Sequence, residues 1–141
     1  MTLKNIDRTY IIKTVNKQTI DFQSDIISES ARGTYQKRGN KSYILYKTVE
    51  DGEENSSIII IEGDTVTIKR RGMIESNMIF SEGCENTSLY VMPYGKMTIR
   101  IKTKKVSVKL NENGGEVHLE YILIIQGEEY YNDMTIKVIG E

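Results

Sequence analysis

Residues 96–125 read KMTIRIKTKKVSVKLNENGGEVHLEYILII. In the first arm Met97, Ile99 and Ile101 alternate with Lys96, Thr98, Arg100 and Lys102. Val106, Val108 and Leu110 then alternate with Lys105, Ser107 and Lys109. Beyond Asn113-Gly114-Gly115, the apolar positions Val117, Leu119, Tyr121, Leu123 and Ile125 are interleaved with His118 and Glu120. A period of two sends one set of side chains to a dry face and the other to water, the pattern of an antiparallel sheet. The apolar parity switches from odd to even around Lys104-Lys105, so a bulge or a break between two strands is expected there.

The same grammar extends outward. Gly63-Asp64 separates SSIIIIE from TVTIKRR with the spacing of a tight hairpin. Arg71-Gly72, Pro93-Tyr94-Gly95 and Gly127 divide further strands, and looser turns fall at 37–41, 50–55 and 82–86. Alanine and proline each occur once, at Ala31 and Pro93, while β-branched residues and tyrosine abound. Such side chains suit a pleated, half-buried surface rather than a helix. The reading is all-β: a single antiparallel up-and-down β-barrel of roughly eight to ten strands. A meander of that size closes because closure removes exposed edges. Its interior is either filled by side chains or just able to hold one small ligand. The 141 residues form one domain, with 1–8 expected as a flexible start or a short lid.

Nineteen basic residues stand against 20 acidic ones, for a formal net charge of −1. That balance lends no support to nucleic acid as a partner. The basic stripe Arg100, Lys102, Lys104, Lys105 and Lys109 is the solvated outside of a barrel, where lysines also discourage edge pairing. The lone Cys84 fits a reducing compartment, and MTLKNIDRTY has no apolar signal region. The unbroken apolar runs, such as the isoleucine stretch 58–61, are too short to span a bilayer. A cytoplasmic protein without a membrane partner is the expectation. The isoleucine run does not alternate, so its outward pair calls for cover by a helix, a loop or a second subunit, and a homodimer is one way to supply it.

The order KSYILYK, TVTIKRRG, ESNMIF, LYVMPYGKMTIRIKT and LEYILIIQG resembles the DUF1934 family of bacterial proteins. The firmest pieces are the Arg71-Gly72 turn and the segment from Tyr90 through Pro93-Tyr94-Gly95 to Thr103. The likeness runs from about residue 30 onwards and implies a calycin-type (lipocalin-like) barrel; it implies no activity. The chain departs from the family at Lys47-Thr48, where members tend to carry acidic residues, and no role is carried over there.

The sharpest chemical question sits at Arg70-Arg71. Val66 and Ile68 set the inward parity, so Arg70 shares their face near a barrel mouth while Arg71 meets solvent. An inward guanidinium can anchor a carboxylate or phosphate through paired hydrogen bonds. It can equally close the barrel end, paired with a carboxylate or stacked on a tyrosine, and buried charges are normally paired. The resemblance to lipocalin-like barrels implies this second role, since a closure arginine packed across an aromatic residue occurs in that superfamily.

Nine tyrosines and no tryptophan give amphipathic wall material. Tyr121 is the inward candidate and Tyr94 the residue able to cap an opening. The wall of a ligand cavity would comprise Val66, Ile68, Met97, Ile99, Ile101, Leu119, Tyr121 and Leu123, with Arg70 as the polar anchor of a small amphipathic, anionic ligand. The contrasting expectation is a filled barrel that works through its outer surface as a protein- or nucleic-acid-interaction module.

No catalytic constellation, cofactor motif or metal-ligand spacing stands out. One histidine and one cysteine do not make a typical zinc site. A Cys84–His118 nucleophilic pair would place its thiol among the acidic residues of the EGCEN turn, a poor setting for a thiolate nucleophile. The acidic EDGEEN loop lacks the ligand spacing of a calcium loop.

Overall fold

The computed structural model describes residues 8–141, and among these every regular element is a strand. In chain order the strands are β1 Tyr10–Ile20, β2 Gln23–Arg38, β3 Lys41–Glu50, β4 Glu53–Glu62 and β5 Thr65–Arg71. They continue as β6 Ser76–Ser81, β7 Glu85–Met92, β8 Gly95–Asn111, β9 Gly114–Ile125 and β10 Glu128–Gly140. The expectation for 1–8 falls, up to residue 7, outside the described residues.

All ten strands form one antiparallel sheet in the order β6-β5-β4-β3-β2-β1-β10-β9-β8-β7. The first and last strands pair from Tyr10↔Gly140 to Thr19↔Tyr131, which is what curls the meander into a barrel. The remaining seam lies between β6 and β7. It is stitched at one end by Glu75 and Val91, each amide donating to the other's carbonyl at 2.9 Å. At the other end the amide of Gly83 donates to Thr103 O at 2.9 Å. Between the stitches the seam is held by side chains, among them the Asn86 amide donating to Ile79 O at 3.2 Å.

The parity switch in β8 is a bulge. β8 pairs with β9 through Thr103↔Tyr121 and resumes at Lys105↔Glu120, so Lys104 is the extra residue. The turns from β2–β3 onwards sit where the sequence placed them, whereas the β1–β2 turn, at Asp21-Phe22, contains neither glycine nor proline and was not anticipated. In the isoleucine run Ile59 and Ile61 are core, while Ile58 stays exposed on the outer face.

The barrel has two unlike halves. The end that carries the termini is packed with apolar side chains: Ile12, Ile44, Val66, Ile68, Ile99, Ile101, Leu119 and Ile136 are at most 1% exposed. Each such side chain contributes about 1.5–3 kcal/mol when fully buried. Tyr10 and Tyr35 meet edge to face at 5.4 Å between ring centroids, and the Tyr35 hydroxyl donates to Asn111 O at 2.6 Å. The Arg8 guanidinium lies 4.9 Å above the Tyr10 ring and packs against Gly140. An arginine lid on an aromatic residue therefore exists, but at this end.

The opposite end, where the β3–β4, β5–β6 and β7–β8 turns gather, is polar inside. Thr14, Asn16, Ser57, Ser76 and Asn132 are all buried there. Asn16 Nδ2 donates to Asn132 Oδ1 at 2.9 Å, and Gln18 Nε2 donates to the same oxygen at 3.0 Å.

Candidate functional site

Register alone lines up the centre of the polar end. Tyr46 on β3 is opposite Ser57 on β4, Ser57 is opposite Arg70 on β5, and Arg70 is opposite Ser76 on β6. These neighbours share the inward parity set by Val66 and Ile68, so one row crosses the wall of the barrel with Arg70 at its middle. Arg71, the next residue, is exposed on the outer face.

Arg70 forms the floor of a cavity of about 270 Å³ that opens between the turns. Glu29 and Thr48 line its side, Glu50 and Asp51 its rim, and Met73, Ile74, Met92, Pro93 and Tyr94 its apolar wall. The β5–β6 loop is pinned by Asn55, whose Oδ1 accepts the Met73 amide at 3.1 Å. Gly72 leaves room for that bond, since a Cβ there would run into Asn55 Oδ1. This is the physical reason for glycine after Arg71 in the Arg71-Gly72 turn.

The Arg70 side chain remains 36% exposed, and its nearest carboxylate oxygen, Glu29 Oε1, is 3.9 Å from Nη2. That distance is too long for a hydrogen bond, and a pair this open to solvent is weak. The Glu29 oxygen also accepts the Tyr46 hydroxyl at 3.4 Å. Arg70 Nε is buried and has no hydrogen-bond partner. A guanidinium has five N–H donors, so much of its capacity is unspent.

Three tyrosines feel the Arg70 charge. Burial pushes the phenols of Tyr46, Tyr90 and Tyr121 above their ordinary value, and the nearby guanidinium pulls each part of the way back. All three are therefore neutral hydroxyls at physiological pH. Tyr121 also packs on Phe80, with ring centroids 4.6 Å apart.

Of the residues expected at a ligand site, Arg70 and Tyr94 line the cavity. Val66, Ile68, Ile99, Ile101, Leu119, Tyr121 and Leu123 lie in the packed core behind it, with Met97 partly buried against them. The cavity is thus at the mouth rather than along the barrel axis. Sequence reasoning missed Glu29, Glu50 and Asp51. Glu29 was discoverable, because counting back by twos from Tyr35 through Gly33 and Ala31 puts it on the inward face. Cys84 is an exposed free thiol in the β6–β7 turn, whereas His118 Nε2 is engaged 2.6 Å from Asp133 Oδ1.

Residues 12–138 match the family described as "Domain of unknown function (DUF1934)". The chain is 26% identical over 121 residues to the "Uncharacterized beta-barrel protein YwiB" of Bacillus subtilis (strain 168), with 85% of each chain covered. It superposes on the crystal structure of the ywiB protein from Bacillus subtilis with a TM-score of 0.86 at 22% identity, covering 95% of this chain and 92% of that one. At that identity the structural likeness speaks for the fold.

Proposed function

The chain belongs to the DUF1934 family, and from that premise we propose that it is a binding barrel whose mouth takes a small amphipathic ligand. The ligand's anionic group is held by Arg70, and its apolar part lies along Met73, Ile74, Met92 and Tyr94. One observation carries the reading. Arg70 sits at the floor of an open cavity with a buried, unpartnered Nε–H and only a 3.9 Å approach from Glu29. A guanidinium serving purely as a closure would be expected to use its donors internally. The acidic rim at Glu50 and Asp51 selects against multiply charged anions, so a single carboxylate on a short apolar body fits best.

The test is a titration of the whole chain with octanoate, followed by nuclear magnetic resonance of the Arg70 Nε–H and the methyl groups of Met73 and Met92. Saturable shifts that vanish in Arg70→Ala and partly survive in Arg70→Lys support the anchor. Octanoate shifts unchanged by Arg70→Ala, or no shifts together with a marked loss of stability in that variant, would make Arg70 a structural closure and end the proposal. Native mass spectrometry of protein purified from its own cells supplies the unbiased counterpart: an added mass is expected, and it should be absent from Arg70→Ala.

A further inference from the structure

β2 and β3 do not pair along their full lengths. Their ladder runs only from Gly33↔Tyr46 to Arg38↔Lys41. Residues 23–32 of β2 pair with β1 alone, and residues 47–50 of β3 pair with β4 alone. The barrel wall is therefore split by a slit that opens beside the mouth, and Glu29 and Thr48 on its two lips also line the cavity. The free lip of β2 is ten residues long, roughly 30 Å of strand edge with half its backbone groups unpaired on that side.

Proteins normally blunt such an edge with lysine, proline or a bulge. Residues 23–31 read QSDIISESA, with none of the first two. We infer that this slit is a docking site for an extended polypeptide segment of alternating basic and apolar residues, added as a strand against β2. Parity gives the alternation. On the mouth side the lips present Asp25 and Glu29, with the half-exposed Ile27 between them, from β2 and Glu50 from β3. On the outer side they present Ile26 and Val49, which are 69% and 71% exposed. An inserted strand sends every second side chain to each of these faces, so basic groups meet the three carboxylates while apolar groups cover Ile26 and Val49. A second copy of the chain fits less well in the register that would stack Ile27 on its own copy. Antiparallel pairing of two β2 edges centred on Ile27 sets Asp25 opposite Glu29 twice, like charge against like.

The experiment titrates the full chain with a fluorescein-labelled octapeptide of alternating lysine and valine, read by anisotropy, beside the matching glutamate–valine peptide. The lysine–valine peptide should bind saturably and more weakly as salt rises, and the glutamate–valine peptide should not bind. Asp25→Lys and Val49→Ser should each weaken binding by on the order of tenfold, about 1.4 kcal/mol. Both positions are exposed, so an unchanged thermal midpoint verifies the fold of each variant. Equal binding of the two peptides, no saturable binding, or affinities indifferent to both substitutions would overturn the inference. So would a dimer in sedimentation equilibrium that Ile26→Ser and Val49→Ser both dissociate, since that result assigns the edge to a second copy.

Discussion

A phenol held away from water resists ionisation, and Tyr121 is the extreme case in this protein. Its pKa is raised by burial first, and further by the neighbouring Tyr90, with the Arg70 charge opposing both. In the unfolded chain the same phenol titrates near 10. Below that pH both states are protonated and the stabilisation is fully present. As pH climbs past about 10 the unfolded state loses its proton while the native state keeps it, so stability falls by up to about 1.4 kcal/mol per pH unit for this group. Urea midpoints between pH 9 and 11.5 should therefore fall less steeply in Tyr121→Phe than in the unaltered protein. An identical slope would mean the phenol titrates normally in the fold. Single residues were unevenly legible in the sequence. Arg70 followed directly from the parity of Val66 and Ile68. Its neighbours Glu29 and Tyr46 come from strands distant in sequence, so nothing local announced that they would meet it. Arg8 is only two residues from Tyr10, so a shared face is what a period of two gives, but nothing local announced that the pair would sit over the packed end of the barrel.

At the scale of elements, the strands with both faces clearly distinguished were readable, and β8 with its bulge at Lys104 is the plainest example. β2 was not readable as one strand. Its first ten residues have one free edge and exposed side chains on both faces, so no apolar period marks them. The transition occurs at Gly33, where β2 begins to pair with β3. A Cβ at Gly33 would run into Leu45 O and crowd Ile12 and Tyr46. The glycine thus permits the close approach with which the β2–β3 ladder starts. Gly33→Ala should destabilise the protein by about 1–3 kcal/mol, the usual penalty of overpacking where backbone cannot yield. The urea midpoint reports it. A variant as stable as the parent would show that the two strands can separate there at no cost, and that the ladder needs no glycine to begin.

The whole molecule follows from these two scales taken together. Period-two patterning and closely spaced turns made the all-β barrel legible, because closure is the general remedy for edges. The division into a packed apolar end and a polar, open end was not legible, since it depends on which inward positions share a level across strands. That division gives the protein its working face. The packed end is lidded by Arg8, while Arg70, the cavity and the split between β2 and β3 all lie towards the opposite mouth. Hydrogen exchange tests this arrangement without any ligand. Alternate amides in 23–32 have no ladder partner on the β3 side and should exchange orders of magnitude faster than those in 41–46 of β3, which are paired with β2 on one side and β4 on the other. Pulse-labelling mass spectrometry at micromolar concentration resolves the two segments. Equal protection of the two would mean that something already covers the β2 edge in the isolated protein, and the slit would then be a closed seam rather than an entrance. Fast exchange confined to residues 23–32, slowed by the lysine–valine peptide but not by octanoate, would separate the edge from the Arg70 cavity as two sites sharing one mouth.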